Sequence, residues 1–483
     1  MTTTETGTGL RGETISNPSG PLNEVSHEDT AFFGHPRGLG FLAGTELWER
    51  FSFYAMQALL MLYMTKYLLL PGIAGNVVGL GTYRSVLERA FGPMTDLALA
   101  AQTFGLYSGL ILVTPLIGAW LGDRVLGRTK TITIGALLMS AGHLTMASES
   151  AFLLALLLLI LGGGCFIGNL AAQIGGLYVP QDTRRTRAFG VYLMAVNVGA
   201  FMAPLIAGTM GERMGFHWGF GAAGIGMLIG LATYLSGRRH MPPDLIARGQ
   251  KSPRLDHAQW VTVSAILLTL VPRILLFGAV QQAYGIMVVW ADTAVNRRVG
   301  NFEVPVTWIL TADGLITILG VLLANRVWDA LAARGREPGD VVKIGISGVS
   351  ITVAFVIIAL LANLPQVPLV GWLAFYLVLG LSYAWMDPPS KAIIGRYAPQ
   401  SVNGMMFAFS ALFGAFGFFL LGYLGRFYEP LGPSLYYLLT AVMPCIAAVM
   451  MLAFARPILR LLGTAERKDG DRALPADPLP AGA

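Results

Sequence analysis

Charged side chains are scarce in this sequence. They make up 12% of its 483 residues, whereas hydrophobic residues make up 54%. A soluble domain carries roughly 25% charged residues, so this chain has too few charges to cover a water-facing surface of its size. Because lipid-facing positions must be apolar, a bilayer is the natural solvent for such a chain. We therefore predict an integral membrane protein in contact with the lipid bilayer.

Cysteine is scarce too. The two cysteines, Cys165 and Cys445, both lie inside apolar runs and are interpreted as packing residues. Their number excludes a disulfide framework or a cysteine metal cluster. The sequence also lacks a nucleophile–base set, a metal-binding cluster and a phosphate-binding loop, so we expect no enzyme, no metal and no organic cofactor.

Long apolar runs are what the chain does contain. A membrane-spanning helix needs about 20 mostly apolar residues. Runs of this kind lie near 40–68, 98–121, 130–148, 151–178, 187–209, 217–236, 260–292, 306–328, 341–363, 368–390, 402–425 and 433–455. They predict an all-α membrane protein of about twelve transmembrane helices and exclude a β-barrel. The run 260–292 is too long for one span, so we predict an interfacial lead-in up to Pro272 and a span from about 273 to 292.

Basic residues are divided unequally between the loops. The even-numbered loops hold sixteen Lys and Arg residues and the odd-numbered loops hold six. Lys and Arg concentrate in cytoplasmic loops, so we place both termini in the cytoplasm and the protein in the cell (inner) membrane. The net charge of +6 is thereby explained by orientation, and we expect no nucleic-acid partner.

The longest internal polar stretch divides the runs into six and six. We predict a disordered cytoplasmic tail at 1–36, a six-helix bundle at 37–236, a cytoplasmic linker at 237–259, a second six-helix bundle at 260–456 and a disordered tail at 457–483. This organisation is typical of the major facilitator fold, in which the substrate site lies between the two halves near the middle of the membrane.

Ionisable residues inside the first run require a reason, because burying a charge in a span costs several kcal/mol by most scales. Glu46, Glu49, Arg50, Tyr54 and Gln57 fall on one face of a helix. One guanidinium can hold one carboxylate ionised, so the second carboxyl is left to take up and release a proton. We predict that Glu49 or Glu46 carries the proton, with Arg50 as partner; the alternative is a buried ion pair that only locks the helix.

Other polar residues lie within later runs, and we predict that several of them contact substrate. Asp313 is the best second-half candidate for a substrate amine or a proton, the alternative being chance placement beside a polar cavity. Asp387 and Lys391 could pair across one helical turn. They flank Pro388 and Pro389, which are expected to break the helix, either as a gating hinge or as its cytoplasmic end. The predicted substrate-binding set is Arg50, Tyr54, Tyr107, Asn169, Asn197, Gln281, Gln282, Asp313 and Tyr383.

Three stretches together resemble the proton-dependent oligopeptide transporter (POT/PTR) family of the major facilitator superfamily. The first, Glu46-Leu-Trp-Glu49-Arg50-Phe51-Ser-Phe53-Tyr54, resembles the family's E-x-x-E-R-F-x-Y-Y stripe. The second runs from Gly118 through Asp123 and Arg124 to Gly127 and on to Gly142, and resembles the family's signature between the second and third spans. The third runs from Tyr192 through Asn197 to Ala200 and resembles the fifth-span signature F-Y-x-x-x-I-N-x-G.

The resemblance implies a proton-driven symporter of di- and tripeptides that works by alternating access, powered by the proton gradient without a cofactor. Glu46, Glu49 and Arg50 would couple protons, and Asn197 would touch the peptide backbone. Asp123 and Arg124 lie at a predicted cytoplasmic turn, where we expect them to act as a conformational gate. We expect a monomer whose partners are protons and a small peptide or peptide-like substrate.

Several positions depart from the family pattern. Ile167 stands where members carry a fourth-span lysine, and Tyr383 stands where they carry a tenth-span glutamate. Gln281 replaces an acidic residue, Asp313 replaces an asparagine, and Leu112 replaces a tyrosine. These changes remove one cationic and one anionic contact for a peptide, so a modified, capped or less polar peptide-like cargo is also consistent with the sequence.

Two other functions compete with this interpretation. Aromatic residues in the tenth and eleventh runs, such as Trp385 and Phe407, favour a facilitator-type proton antiporter that exports amphipathic small molecules, although ordinary lipid-facing packing also explains them. A non-transporting receptor or scaffold would carry a large folded loop or tail domain, and the sequence contains none.

Overall fold

A computed structural model describes residues 29–179, 182–244, 255–399 and 402–470, with side chains up to residue 462. The first half contains α1 (Arg37–Tyr63, continued by a π-helical turn Met64–Leu68), a 3-10 turn at Ala74–Asn76, α2 (Leu80–Phe91), α3 (Asp96–Val113), α4 (Pro115–Arg124), α5 (Arg128–Thr145), a 3-10 turn at Glu149–Ala151, α6 (Phe152–Gly176), α7 (Arg184–Ala203, continued by a π-helical turn Pro204–Gly208), α8 (Thr209–Met214), α9 (Phe216–Ser236) and a 3-10 turn at Arg238–His240.

The second half contains α10 (His257–Gln281), a 3-10 turn at Gln282–Tyr284, α11 (Ile286–Ala294), β1 (Val295–Asn296), β2 (Arg298–Val299), β3 (Phe302–Glu303), α12 (Trp308–Ala332), α13 (Asp340–Leu361), β4 (Val367–Pro368), α14 (Leu369–Tyr397), α15 (Asn403–Leu424), a 3-10 turn at Gly425–Phe427, α16 (Tyr428–Ala453) and α17 (Ala455–Gly470). β1 pairs with β4 in parallel and β2 pairs with β3 antiparallel.

Within the described residues, nine helical segments are long and apolar enough to cross a membrane. One of them, Asn403–Ala453, contains both of the last two predicted runs. The first and third predicted runs form α1 and α5, which are not among the nine. The predicted membrane-spanning helical architecture is confirmed, whereas the count of twelve stays a prediction.

Each half packs mainly against itself. In the first half α1 lies against α7 and α9, and α5 lies against α6; in the second half α13 packs between α14 and α16. The halves meet chiefly where α3 crosses α15 and where α7 approaches α12. A Cβ added to Gly105 of α3 would come within 2.5 Å of the Phe418 carbonyl oxygen and 2.8 Å of the Gly422 Cα. Glycine is therefore required for this close approach between the halves.

The two ends of the molecule differ, and we name them for that difference. The basic end is where α1, α5 and α7 begin, beside Arg128 and Arg184. The distal end is the opposite one, where α3 and α12 begin. Hydrogen bonds and ion pairs between the halves are concentrated at the distal end, among them Arg426 with the carbonyl of Phe91 and Arg213 with the carbonyl of Glu303.

Element boundaries were expected at Pro272 and at Pro388–Pro389, but these prolines lie inside continuous helices. α10 continues through Pro272 as far as Gln281, so the predicted lead-in ending at Pro272 is wrong. The helix breaks instead at Gln282–Gly285, where Gly285 has a non-helical backbone (φ −92°, ψ −127°). Proline is tolerated in such helices because neighbouring groups satisfy the freed carbonyls.

α14 likewise continues through Pro388 and Pro389 to Tyr397, so the break expected there is also wrong. Beside the two prolines, the Ser390 hydroxyl donates to the Met386 carbonyl at 2.6 Å. The missing N–H groups of the two prolines leave the carbonyls of Ala384 and Trp385 without their usual helical donors, and such gaps are tolerated in membrane helices.

The predicted tails and linker are only partly described. α17 covers the start of the tail predicted as disordered from 457, with Ile458 and Leu462 buried one turn apart, so that part of the prediction is wrong. Residues 29–36 of the N-terminal tail are also ordered, since His35 bonds the Tyr178 hydroxyl at 2.8 Å. Residues 1–28, 245–254 and 471–483 lie outside the described residues. The remaining domain boundaries stay predictions.

Candidate functional site

The predicted stripe on α1 forms a buried charge cluster. The Arg50 Nε lies 2.5 Å from Glu49 Oε2 and 3.1 Å from Glu46 Oε1. Glu46 and Glu49 are 1% and 0% exposed, and the guanidinium also lies over the Phe53 ring at 5.0 Å. One base therefore serves two acids inside the protein, as the sequence predicts.

α7 supplies the other wall of this cluster. The Tyr192 hydroxyl donates to Glu46 Oε1 at 2.8 Å. Two turns along α7, Gly199 packs against α1, where an added Cβ would lie 2.9 Å from the Arg50 Cβ. Tyr192 is absent from the predicted site set, although it opens the fifth-span stretch that carries the family resemblance.

The hydrogen-bonding capacity of the cluster is not used up. Glu46 Oε2, Glu49 Oε1 and Arg50 Nη2 are buried and have no hydrogen-bond partner among the described residues. A buried unpaired carboxylate oxygen is costly unless it gains a proton or another donor. The arrangement can therefore take up a proton at one of two carboxyl groups.

A group of tyrosines connects α1 with the second half. The Tyr284 hydroxyl lies 3.4 Å from Asp313 Oδ2 on α12. Tyr54 on α1 and Tyr383 on α14 are close enough to interact electrostatically with each other and with Asp313. Tyr54 of the first half and Tyr383 of the second thus lie within electrostatic reach of Asp313.

A second charge cluster, which the sequence does not predict as a site, lies in the second half. The Arg273 Nη2 on α10 donates to Asp387 Oδ1 on α14 at 2.9 Å. Lys391 Nζ lies 2.7 Å from the other oxygen of Asp387, which confirms the expected pairing across one turn. Arg273 and Asp387 are each 7% exposed. The available signal in the sequence is Arg273 itself, an arginine inside the apolar run 260–292.

The other predicted substrate residues are dispersed. Asn169 donates to the carbonyls of Gly118 and Cys165, both at 2.9 Å, so it joins α4 to α6 and its predicted contact with substrate gains no support. Asn197 is exposed and donates to the Leu193 carbonyl. Gln281 is half-buried, and Gln282 and Tyr107 are buried.

The predicted gate residues separate at the end of α4. Asp123 pairs with Arg128 of α5 at 2.9 Å, across the turn that connects the two helices. Arg124 is exposed, and no ion pair is seen for it within the described part of the chain. Asp123 thus connects two helix ends, while the role of Asp123 and Arg124 as a conformational gate stays a prediction.

The distal end carries a polar network that the sequence does not predict. Glu212 of α8 accepts hydrogen bonds from the backbone N–H groups of Val306 and Thr307, both at 2.9 Å, and from the Thr307 hydroxyl at 2.6 Å. Lys66 pairs with Asp292 across the halves, and Arg297 bonds the same aspartate at 2.9 Å. These groups line a cavity of about 610 Å³. A first-half carboxylate therefore caps the start of a second-half helix.

Two bundles of apolar helices around buried charge clusters define an integral membrane transporter. Among the described residues, no group of three or more His, Cys, Asp or Glu is placed to hold a metal ion. A sequence model of the POT family matches residues 129–265 and 246–431, which is more than half of the chain. This chain belongs to the POT family, as the three motifs predict.

Its relatives include named peptide transporters. The "Di-/tripeptide transporter" of Lactococcus lactis subsp. cremoris is 26% identical over 515 aligned positions, covering 92% of this chain and 99% of that protein. The "Uncharacterized transporter YclF" of Bacillus subtilis (strain 168) is 27% identical over 434 positions, covering 77% and 84%. A solved structure, "peptide transporter POT in complex with sulfate", has a TM-score of 0.78 at 24% identity and covers 91% of this chain and 99% of that one. The predicted fold class is thereby confirmed.

Proposed function

We propose that this protein is a proton-coupled symporter of di- and tripeptides or peptide-like compounds, working by alternating access. The carrying observation is the α1 cluster, in which two buried carboxyl groups share one guanidinium. Membership of the POT family and the Lactococcus lactis di-/tripeptide transporter support the substrate class. The cargo is moved without chemical change, and the proton gradient supplies the free energy.

Glu49 is the carboxyl we assign as the proton carrier. Glu46 forms an ion pair with Arg50 and also accepts a hydrogen bond from the Tyr192 hydroxyl, whereas Glu49 is held by Arg50 alone. Hydrogen bonds to a carboxylate favour its ionised form. Protonation of Glu49 therefore gives up fewer interactions that favour the ionised carboxylate than protonation of Glu46 does.

Asp313 supports the assignment of a substrate amine site. It lies beside the hydroxyl of Tyr284 and within electrostatic reach of Tyr54 from the first half. No cation pairs with Asp313 among the described residues. An α-ammonium group from a peptide would supply the missing positive charge, and the surrounding tyrosines would supply hydrogen bonds and ring faces.

Alternating access requires the distal contacts to break. Glu212 must leave the start of α12, and Lys66 must leave Asp292, before substrate can enter between the halves from that side. On α7, by contrast, the side chains of Leu193 and Met194 are exposed. We infer that this state is closed at the distal end. We also infer that the basic end faces the cytoplasm, that the chain lies in the cell (inner) membrane, and that the transporter acts as a monomer.

The test is uptake of radiolabelled dialanine into proteoliposomes with acid outside and neutral buffer inside. The wild type should concentrate the peptide only while the proton gradient persists. Glu49→Gln should lose gradient-driven uptake but keep peptide exchange, because binding does not need the proton cycle. Asp96→Asn is the matched control, since Asp96 is an exposed carboxylate paired with Arg84. Gradient dependence that survives in Glu49→Gln would overturn the proposed role, and outward pumping of dyes with no peptide uptake would favour the exporter.

A further inference from the structure

The charge cluster on α10 and α14 has one more base than acid. Arg273 and Lys391 both bind Asp387, one at each oxygen, at 2.9 and 2.7 Å. The single carboxylate is thus occupied on both sides, and one positive charge is left over. Arg273 is 7% exposed, and its Nε and Nη1 atoms are buried without a partner among the described residues.

Unpaired guanidinium donors in the interior call for an acceptor. Leaving buried donors of a charged group without partners is unfavourable, and arginine matches a carboxylate better than any other anion-binding side chain. Lys391 is 58% exposed, so its ammonium can be reached from the basic end. The cluster therefore combines a reachable cation with a buried one that has donors to spare.

The location suits a substrate held between the halves. Glu46 lies nine residues from the start of α1 and Asp387 ten residues from the end of α14, which at 1.5 Å per residue puts both about 14–15 Å from the basic end. Tyr383, one turn from Asp387, is within electrostatic reach of Tyr54 on α1. The cationic cluster thus lies at a depth similar to that of the acidic α1 cluster, in the other half.

We propose that Arg273 and Lys391 bind the carboxylate of the substrate, so that a peptide is oriented with its acid end toward α10 and α14. Its ammonium end lies toward Asp313 and the surplus carboxyl of α1. The inference rests on the proposed function, because it names which part of a peptide each cluster receives. Arg50 is a poor rival for the carboxylate, since two glutamates already neutralise it.

The test compares three ligands on purified full-length transporter: dialanine, N-acetyl-dialanine (carboxylate only) and dialanine amide (ammonium only). Affinity is measured by competition against labelled dialanine exchange. In Arg273→Gln, affinity for the two ligands with a free carboxylate should fall by at least about tenfold, equivalent to about 1.4 kcal/mol. Affinity for dialanine amide should stay within about twofold of the wild type.

Lys391→Gln keeps the proposal falsifiable if Arg273→Gln fails to fold, because Lys391 is largely exposed. It should weaken the same two ligands by about threefold, in line with the modest strength of exposed charge pairs. Arg334→Gln, an exposed cation in the loop after α12, is the control and should change none of the three. Equal losses for all three ligands, or no loss for the free carboxylates, would overturn the assignment. A wild type that binds none of the three would overturn the proposed peptide function itself.

Discussion

The α1 cluster and the α10–α14 cluster contain the same number of charged groups with opposite surpluses. On α1, Glu46 and Glu49 share Arg50; in the second half, Arg273 and Lys391 share Asp387. A surplus acid in a buried site can be neutralised by a proton, whereas a surplus arginine keeps its charge and needs an anion. The surplus acid thus makes the first-half cluster a proton site, and the surplus base makes the second-half cluster a site for an acidic ligand.

The largest effect on this comparison is expected when Arg50, the shared base of the first cluster, is removed. Arg50→Gln leaves Glu46 and Glu49 without a cation and should lower the free energy of unfolding by about 3–5 kcal/mol at neutral pH. The loss should shrink as the pH falls, because protonated carboxyl groups no longer need the guanidinium. Thermal unfolding in detergent between pH 5 and pH 8 measures both effects. Equal destabilisation at both ends of that range would contradict a protonatable pair.

Removing the base from the second cluster should cost less. In Arg273→Gln, Asp387 keeps Lys391 as its partner, so the expected loss is about 1–3 kcal/mol, with little recovery at acid pH. The same unfolding series, run beside Arg50→Gln, checks the difference. If Arg273→Gln were the more damaging change, the buried arginine would be a structural lock more than a ligand site.

The two glutamates of α1 can be separated through Tyr192. Tyr192→Phe removes the hydroxyl that donates to Glu46 at 2.8 Å and leaves Glu49 untouched. We expect a loss of about 1 kcal/mol in stability, with gradient-driven uptake retained, because Glu49 carries the proton. Complete uncoupling in this variant, measured by peptide accumulation under a proton gradient, would transfer the role to Glu46.

The smallest effect is expected at Lys391. Its ammonium is 58% exposed, so Lys391→Gln should change the unfolding free energy by less than about 1 kcal/mol. Denaturation midpoints of the two proteins should therefore nearly coincide. A large destabilisation would show that Lys391, and not Arg273, is the principal partner of Asp387.

The sequence predicts the first cluster well because its members lie on one helix. Helical spacing alone puts Glu46, Glu49 and Arg50 on one face, and the structure places them in contact. Arg273 and Asp387 are 114 residues apart in the chain, so no local pattern connects them. The same limit applies to Glu212 and Thr307, which meet only after the two halves have packed.

Sequence rules for single residues, such as proline as a helix breaker, did not predict the structure at several positions. A boundary between an interfacial lead-in and a span was expected at Pro272, and a helix break at Pro388 and Pro389, yet α10 and α14 continue through these prolines. Asn169 has the chemistry of a substrate ligand, but its amide is committed to two backbone carbonyls. A polar residue inside an apolar run indicates a buried polar role, and only the structure shows which groups it contacts.

The most direct test of the account is the proton flux that accompanies peptide uptake. Proteoliposomes containing a trapped pH indicator are given dialanine outside, with no initial pH gradient and an inside-negative membrane potential. The wild type should acidify its lumen when the peptide is added, and Glu49→Gln should bind and exchange the peptide without any such acidification. Peptide-dependent acidification of equal size in both proteins would contradict the claim that the surplus carboxyl of α1 carries the proton.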